Sequence, residues 1–229
     1  MSATDAKRVR DKDGKRRALL EAATEVFAEL GYESAPTKEI ARRAGCSESL
    51  IFRYFGDKRG IFEQVVSRQI AEGVNAAEDR IVESLPDSFV DFVEQLFLAR
   101  LKIHPHRRDA VPGWDIAGRA LSDPAFSLRV MRPNHEHRVA VIAKGVRHYQ
   151  GSGQVTSLVD PITVAELLAN YTIFTTTVGP RWFGTPEAEI RAQIELGARI
   201  FAEGVRSSAA GSDSGRPSRG RRFRFRSNA

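Results

Sequence analysis

The feature that most constrains the fold of this 229-residue chain is the spacing of its apolar residues, which recur every three or four positions along most of it. In the first such segment, Leu19, Ala23, Val26 and Leu30 fall on one side of a helix, and Gly31 is placed to end it. This period is typical of α-helices that bury one face. No stretch alternates apolar and polar residues for long enough to indicate a sheet, so the pattern predicts an all-α fold.

Proline signals divide the rest of the chain into further helices. Asp160 before Pro161 and Thr185 before Pro186 have the form of an N-cap followed by a proline at the first helical position. Pro133 is expected to kink or divide the helix around it. The predicted helices cover residues 58–85, 88–103, 107–121, 124–149, 161–178 and 186–206.

Composition excludes several classes of protein. Cys46 is the single cysteine, so an intrachain disulfide is impossible and a reducing compartment is expected. The chain has no apolar run of about 18 residues. It also lacks a short apolar stretch behind its basic N-terminus, which argues against a signal peptide. We therefore expect a cytoplasmic protein without membrane association.

The net charge of +6 belongs to the C-terminal end. Residues 206–229 contain seven Arg and one Asp, whereas residues 1–60 are mildly basic and residues 61–205 mildly acidic. The end of the chain is rich in Gly, Ser and Arg without an apolar period, so a disordered tail is expected. Its stretch 215–222 faintly resembles an AT-hook, which inserts Arg into a narrow minor groove. A solvated tail and a minor-groove contact are both open.

Residues 37–56 have the spacing of a helix-turn-helix. Ile40 and Ala41 are placed to face inward from a first short helix, Gly45 permits the positive φ of a tight turn, and Ile51 anchors a second helix. In this motif the second helix enters the DNA major groove with its N-terminal residues against base edges. An ordinary helical hairpin is the alternative interpretation.

The same stretch resembles the signature of the TetR family of bacterial transcriptional regulators. The similarity is carried by Thr37–Ala41, Ala44–Ser47 and Ile51–Lys58, and the preceding helix, ending at Phe27–Tyr32, fits the same family. It covers about residues 15–65. The resemblance implies an N-terminal three-helix DNA-binding domain and a C-terminal helical domain for ligand binding and dimerisation.

The implied division of the chain has four parts: a flexible basic arm over residues 1–14, the DNA-binding domain over 15–60, the ligand-binding and dimerisation domain over 61–206, and a disordered Arg-rich tail over 207–229. By the same resemblance, we expect a ligand-responsive repressor that binds a palindromic DNA operator as a homodimer. The alternative is a small-molecule-binding or catalytic helical protein whose head does not bind DNA. No serine-hydrolase elbow or phosphate-binding loop is present, so we expect no enzymatic activity.

The resemblance assigns DNA contacts to the two short helices and their surroundings. Thr37 and Lys38 are expected to contact phosphates, aided by the amides of the helix N-terminus. For Glu48, a hydrogen bond to cytosine and a solvated side chain are both open. The complete set comprises Thr37, Lys38, Ser47, Glu48, Ser49, Phe52, Arg53, Tyr54 and Lys58.

Within this set, Tyr54 and Lys58 are expected to hold the DNA backbone, and Arg53 to contact either a phosphate or a guanine. Phe52 stands where many relatives carry a tyrosine, so no hydroxyl can contact the phosphate there and packing must suffice. Ser47 and Ser49 open the recognition helix and are placed to reach base edges.

An effector pocket is implied for the middle of the chain. Its candidate lining residues are aromatic or polar: Arg100, His104, Trp114, Arg119, Phe126, Tyr171, Phe174 and Trp182. Packing in an ordinary core is the alternative for each of them. Histidines in residues 104–106 and 135–137 are two positions apart and diverge on a helix. No cluster completes either pair, so neither a metal nor another cofactor is expected.

The last two helices are the candidates for a four-helix dimer interface. One carries a stripe of small residues at Ala165, Ala169, Thr172 and Thr176, and the other an apolar stripe at Ile190, Ile194, Ala198, Phe201 and Val205. Burial of both stripes within a single chain is the alternative.

Overall fold

The computed structural model describes residues 3–103 and 123–207. Over these ranges the chain is helical apart from turns and one isolated antiparallel bridge between Val155 and Arg206. The predicted all-α fold is therefore confirmed. The helix predicted over 107–121 lies outside the described residues, as does the tail beyond residue 207.

The helices, in chain order, are α1 Ala3–Ser34, α2 Thr37–Arg43, α3 Glu48–Phe55, α4 Lys58–Ile70, α5 Ala76–Glu83, α6 Phe89–Ile103, α7 Pro124–Phe126, α8 Arg132–Gly151, α9 Pro161–Ile173, α10 Gly179–Phe183 and α11 Glu187–Gly204. Three π-helical turns each join two of these helices into one longer rod. Ala71–Asn75 joins α4 to α5, Ser127–Met131 joins α7 to α8, and Phe174–Val178 joins α9 to α10.

The first helix begins earlier than the apolar pattern indicated. Residues 3–14, expected to form a flexible arm, are helical. This stretch contains Lys and Arg, which are good helix formers, and no proline, so a helix can extend past the segment that has a buried face. At Gly31 the backbone leaves the helical region, with φ 71° and ψ 166°, which is the predicted end of the regular helix.

The predicted helix starts have different outcomes. Asp160 caps α9 as expected, because its carboxylate accepts a hydrogen bond from the Thr163 amide at 2.8 Å. The prediction for α11 is wrong by one residue, since Pro186 occupies the N-cap position and no side chain caps the helix. Pro133 lies in the first turn of α8, directly after a π-helical turn, so the expected division occurs there.

The head of the molecule is built by α1 to α4 around one apolar core. Ile40, Ile51 and Phe62 are buried in it. Phe126 joins the same core from much later in the sequence, with its ring 6.2 Å from that of Phe62. Because α7 contributes to the head in this way, it connects the head to the rest of the chain.

The body has a second core between α6, α8, α9 and α11. Phe92, Ile142, Leu168 and Ile194 are among its buried members. At Gly145 the α8 backbone approaches α6 so closely that an added Cβ would lie 2.3 Å from the Phe92 ring. Close packing of this kind fixes the relative positions of the two helices.

The two stripes predicted at a subunit interface lie instead inside the chain. The small residues Ala165, Ala169, Thr172 and Thr176 are all buried, as are Ile190, Ile194 and Ala198 of α11. Phe201 and Val205 are partly buried against the same core. The stripes of α9 and α11 therefore make the intramolecular core, which was the alternative interpretation. A helix facing both a core and solvent uses its most continuous apolar stripe for the core.

Other apolar side chains of these helices are exposed. Leu167 of α9 and Leu196 and Ile200 of α11 are each at least 55% exposed. Within the described ranges, no helix is long and apolar enough to cross a membrane.

Candidate functional site

The turn between α2 and α3 has the geometry predicted for a helix-turn-helix. Gly45 adopts a positive φ of 61°, which favours glycine. The Cys46 amide donates a hydrogen bond to the Ala41 carbonyl at 2.9 Å and closes the end of α2. Ile40 and Ile51, one on each side of the turn, are fully buried. The turn thus holds α3 at a fixed angle to α2.

The N-terminal ends of the two helices are joined by a side-chain contact. The Thr37 hydroxyl, at the start of α2, donates a hydrogen bond to the Glu48 carboxylate, at the start of α3, over 2.6 Å. Both side chains are partly buried. Two of the predicted DNA contacts are therefore partners of each other in the free protein.

Arg53 and Tyr54, near the end of α3, are also engaged with each other. The Arg53 guanidinium donates to the Tyr54 hydroxyl at 3.0 Å and lies 5.0 Å from the centre of its ring. Arg53 is exposed and Tyr54 is partly buried. This contact orients both polar groups along the same side of α3.

Lys58 is tied to the end of α1. Its ammonium group donates to the Glu33 carbonyl at 2.9 Å and lies 4.9 Å from the centre of the Tyr32 ring. The contact is a cation–π interaction combined with a hydrogen bond. The predicted backbone clamp is thus held near the surface by the α1–α2 junction.

The remaining predicted DNA contacts are open to solvent. Lys38, Ser47 and Ser49 are exposed, and the two serine hydroxyls lie 2.9 Å apart. Phe52 is 51% exposed, which is unusual for a large apolar ring in a helix of this small size. The exposed face of α3 therefore combines hydroxyls with one apolar ring.

The end of α3 is set by the first turn of α4. Asp57 caps α4 by accepting a hydrogen bond from the Gly60 amide at 2.7 Å. At Gly60 the backbones approach so closely that a Cβ would lie 1.9 Å from the Phe55 carbonyl oxygen. Glycine is therefore required here by contact and not by its φ angle, and sequence reasoning did not single it out.

An ion-pair network holds α2 against α1. Arg43 donates to Glu29 of α1 at 2.6 and 2.7 Å and to Glu39 at 2.9 Å. Hydrogen bonds from Arg42 and Arg43 lower the pKa of Glu39 to about 2. Sequence reasoning missed the Glu29–Arg43 pair because its members are 14 positions apart, whereas the pairs of Glu39 with Arg42 and Arg43 have helical spacing that could have revealed them.

The effector candidates that the structure describes lie in different environments. Phe126 is in the core of the head, and Phe174 and Trp182 are each more than half exposed. Tyr171 packs between α6 and α11, 5.1 Å from the Phe97 ring, and donates to the Gln193 carbonyl. Phe126 therefore lies apart from the others, whereas Phe174 and Trp182 both lie next to the Phe183 ring, with 6.4 and 6.5 Å between ring centres. His104, Trp114 and Arg119 lie outside the described residues.

Arg100 is the predicted effector residue that lies beside a buried polar group. The body contains an ion pair between Glu78 of α5 and Arg138 of α8, with side chains 1% and 3% exposed. Burial is the main cause of the lowered pKa of Arg100 in α6. The charge of Arg138 lowers this pKa further, and the charge of Glu78 raises it. Sequence reasoning missed the pair, although Arg138 falls on the same helical stripe as Ile142 and Gly145, where an apolar residue is expected.

Head and body are linked by a second set of ion pairs. Arg59 of α4 donates to Asp123 at 2.8 Å, and Arg129 donates to Glu63 of α4 at 2.7 and 2.8 Å. These contacts surround the packing of Phe126 in the head core. The segment 123–131 is thus attached to α4 by both apolar and charged contacts.

A metal centre has no support in the part of the chain that the structure covers. No group of three or more His, Cys, Asp or Glu residues is arranged to hold an ion there. The His137 ring lies 3.2 Å from the Asp79 carboxylate, which is an ordinary surface contact.

Comparison with known proteins agrees with the geometry of the head. Residues 19–65 match the sequence model of the family described as "Bacterial regulatory proteins, tetR family". The chain is 30% identical over 92 residues to the HTH-type transcriptional activator FasR of Mycolicibacterium smegmatis, covering 36% of this chain and 42% of FasR. It is 29% identical over 117 residues to the HTH-type transcriptional repressor AcnR of Corynebacterium diphtheriae, covering 50% of this chain and 55% of AcnR.

The similarity to these curated relatives spans about half of their length. A solved structure from Rhodococcus sp., described as a putative TetR-family transcriptional regulator, matches over more of the chain. It has a TM-score of 0.64 at 18% identity and covers 83% of this chain and 99% of that one. At this identity the match supports the fold of the body and nothing finer.

Proposed function

We propose that this chain, which belongs through its N-terminal domain to the TetR family of bacterial regulatory proteins, is a DNA-binding transcriptional regulator. The observation that carries the proposal is the exposed face of α3, which follows the Gly45 turn and is anchored from beneath by buried Ile40 and Ile51. A helix presented in this way can enter the major groove end first. The relatives are named as regulators, not as enzymes.

Within this proposal, Lys38 contacts a phosphate and Ser47 and Ser49 approach base edges, because all three are exposed at helix N-termini. Tyr54 faces the DNA backbone, and Arg53, which stacks on its ring, contacts a guanine. Phe52 supplies an apolar contact, for which a thymine methyl group is a suitable partner.

Glu48 has a different role in the proposal. Its carboxylate already accepts the Thr37 hydroxyl at 2.6 Å. A free carboxylate near DNA is repelled by phosphates, whereas one that accepts a hydrogen bond can hold two helices in register. We therefore assign Glu48 to positioning α3 relative to α2, with Thr37 reaching a phosphate through its backbone amide.

Lys58 supports the same surface from its other end. Its charge is held beside the Tyr32 ring, close to the start of α4. It contributes electrostatic attraction to the DNA backbone, which depends on salt concentration. Lys58 therefore strengthens binding to all sequences alike.

The regulator is proposed to act as a homodimer on a palindromic operator. A single recognition helix reads few base pairs, and two of them on successive turns of DNA require a two-fold symmetric protein. Leu167, Leu196 and Ile200 supply exposed apolar surface on α9 and α11. Exposed apolar patches commonly mark subunit interfaces.

Ligand response is proposed to pass through the segment 123–131. This segment leads into α8 of the body and is attached to α4 of the head through Phe126, Asp123 and Arg129. An effector that favours a different position of α8 would move α4 and change the separation of the two heads. Blocking of polymerase by the bound dimer makes repression the proposed outcome.

The test is a selection from randomised duplex DNA with the full chain, followed by binding measurements on the selected site and a scrambled one. A specific regulator is expected to prefer the selected site by about 10³-fold or more at physiological salt. Arg53→Ala should lower that preference by at least tenfold.

Arg147→Ala, an exposed arginine of α8 remote from the head, is the matched control and should leave the preference unchanged. Weak binding with no sequence preference would contradict the proposal. It would favour the alternative, a small-molecule-binding or catalytic helical protein whose head does not bind DNA.

A further inference from the structure

The body contains a group of polar side chains, the arginine cluster, formed by the buried Asn75, Glu78 and Arg138 and the partly buried Arg100. Arg138 donates three hydrogen bonds to Glu78, at 2.7, 2.9 and 3.0 Å. Both side chains are at most 3% exposed. The ion pair is therefore isolated from water, and its remaining donor and acceptor atoms need hydrogen-bond partners.

Within the described part of the chain, two polar atoms of the cluster have no hydrogen-bond partner. Nη1 of Arg138 and Oδ1 of Asn75 are buried and unpaired. Buried polar atoms are nearly always paired in folded proteins, by protein, water or a ligand. The free Nη1 is a donor on a charged group, so an oxygen acceptor is the group that fits it.

Arg100 adds a second guanidinium, which has no carboxylate partner within residues 3–103 and 123–207. Its nearest hydrogen-bond acceptor among the described residues is the Thr177 hydroxyl, 3.4 Å from both Nε and Nη2, which is a weak contact. Burial, with a smaller contribution from the charge of Arg138, lowers the pKa of Arg100 to about 9. The guanidinium therefore stays protonated at neutral pH.

The charges within the cluster do not cancel. Arg100 and Arg138 each carry a positive charge and Glu78 carries one negative charge. His135, on α8, also has a lowered pKa, first because of burial and second because of the charge of Arg138. The charges of Glu166 and Glu136 raise the pKa of His135. The cluster thus has an excess of one positive charge.

We infer that the arginine cluster binds the carboxylate of a small organic monoanion, with Arg100 and the free Nη1 of Arg138 as donors. A planar guanidinium matches a carboxylate in bidentate geometry. One negative charge cancels the excess, whereas a doubly charged phosphate ester would leave a new negative excess. Within the proposed function, on which this inference rests, such a monocarboxylate is the effector.

The position of the cluster suits this role. Its members come from α6, α8 and the π-helical turn that precedes α5 together with α5 itself, and Thr177 lies in the π-helical turn after α9. Arg138 lies on α8, six residues after Arg132, where the segment that contacts the head enters the helix. A ligand that bridges Arg100 and Arg138 would therefore contact α8 directly.

The experiment uses the full chain and four sodium carboxylates, acetate, butyrate, benzoate and octanoate, with the matching primary amides as uncharged controls. Melting temperature and calorimetric titration are the measurements. At saturation at least one carboxylate should raise the melting temperature of the wild type by about 5 °C or more, and its amide should not.

Arg100→Met is the informative variant because it keeps the length of the side chain and removes the unpaired charge. It should raise the melting temperature of the ligand-free protein, since an uncompensated charge that is partly shielded from water is lost. It should also weaken carboxylate binding about 10- to 100-fold. Arg147→Met, at an exposed site of α8, should change neither quantity. Arg138 is left intact because its loss would strand the Glu78 carboxylate.

Several results would overturn the inference. The cluster would be purely structural if the carboxylates changed the melting temperature of neither protein, or changed it equally in wild type and Arg100→Met. A lower melting temperature of ligand-free Arg100→Met would show the same. Release of the selected DNA site by amides alone, in both proteins, would leave the regulator standing and reject the carboxylate site.

A different result would show that the proposed function fails while the carboxylate site stands. Carboxylate binding that depends on Arg100, in a protein that shows no sequence preference for DNA, would support the site and reject the regulator.

Discussion

The Thr37 hydroxyl donates a 2.6 Å hydrogen bond to the Glu48 carboxylate and so joins the first residue of α2 to the first residue of α3. Both residues lie in the proposed DNA interface. The carboxylate at the start of α3 is therefore an internal brace of the motif. Under the proposed function, its negative charge and its geometry should affect DNA binding in opposite directions.

Replacement of Glu48 separates these two effects. Glu48→Gln keeps an acceptor for Thr37 but removes the charge, so affinity should rise on all sequences while the preference for the selected site is kept. Glu48→Ala removes the brace as well, and the preference should fall about tenfold. Binding to selected and scrambled DNA at several salt concentrations measures both quantities. A change of preference confined to one base pair, the same in both variants, would instead indicate that Glu48 reads a base.

Substitution of Gly60 should damage the junction between α3 and α4. In Gly60→Ala the new Cβ would lie 1.9 Å from the Phe55 carbonyl oxygen, so the backbone must shift. We expect a loss of about 1–3 kcal/mol in the free energy of unfolding, measured with urea. Gly14→Ala is the matched control, because no atom lies within 4 Å of its added Cβ. That variant should be neutral or slightly stabilising, and equal losses in both would refute the contact argument.

The ion pairs between head and body should make the free energy of unfolding depend on pH in the acidic range. Hydrogen bonds from Arg129, and secondarily from Arg59, lower the pKa of Glu63 below its ordinary value of 4.5, although burial acts against them. A carboxyl that is more acidic in the folded state stabilises it above the unfolded pKa, and this contribution is lost as pH falls through the lower folded value.

Glu63→Gln should therefore reduce the pH dependence of unfolding below about pH 4.5, the ordinary value of that carboxyl. The comparison is made by urea denaturation at a series of pH values. Glu83→Gln, at an exposed position that ends α5, serves as the control. An unchanged slope in the Glu63 variant would show that these ion pairs contribute little.

The exposed apolar face of α11 should govern assembly. Leu196 and Ile200 are 60% and 62% exposed, one turn apart on that helix. The double substitution Leu196→Glu and Ile200→Glu places charges on the proposed interface and should give a monomer by sedimentation equilibrium. Leu158→Glu, at a position 93% exposed in a loop, should not change the mass. A dimer that survives the double substitution would locate the interface elsewhere.

Prediction from the sequence succeeded where a structural feature depends on neighbouring residues. The buried positions of Ile40 and Ile51 and the left-handed turn at Gly45 follow from spacing and from the conformational freedom of glycine. The effector residues were less well predicted, since an aromatic side chain fits a pocket, a core or a surface equally well. Phe126 proved to belong to the head, and Trp182 to the surface.

The sequence by itself determined the helical class, most helix boundaries and the helix-turn-helix, because each depends on contacts within a few residues. Only the tertiary structure decided which stripe of α11 faces the core, and only it placed Arg138 against Glu78. Those two residues are 60 positions apart, and Phe126 and Phe62 are 64 apart. Contacts at such separations depend on how helices cross, and helical periodicity carries no information about the partner that a buried face will meet.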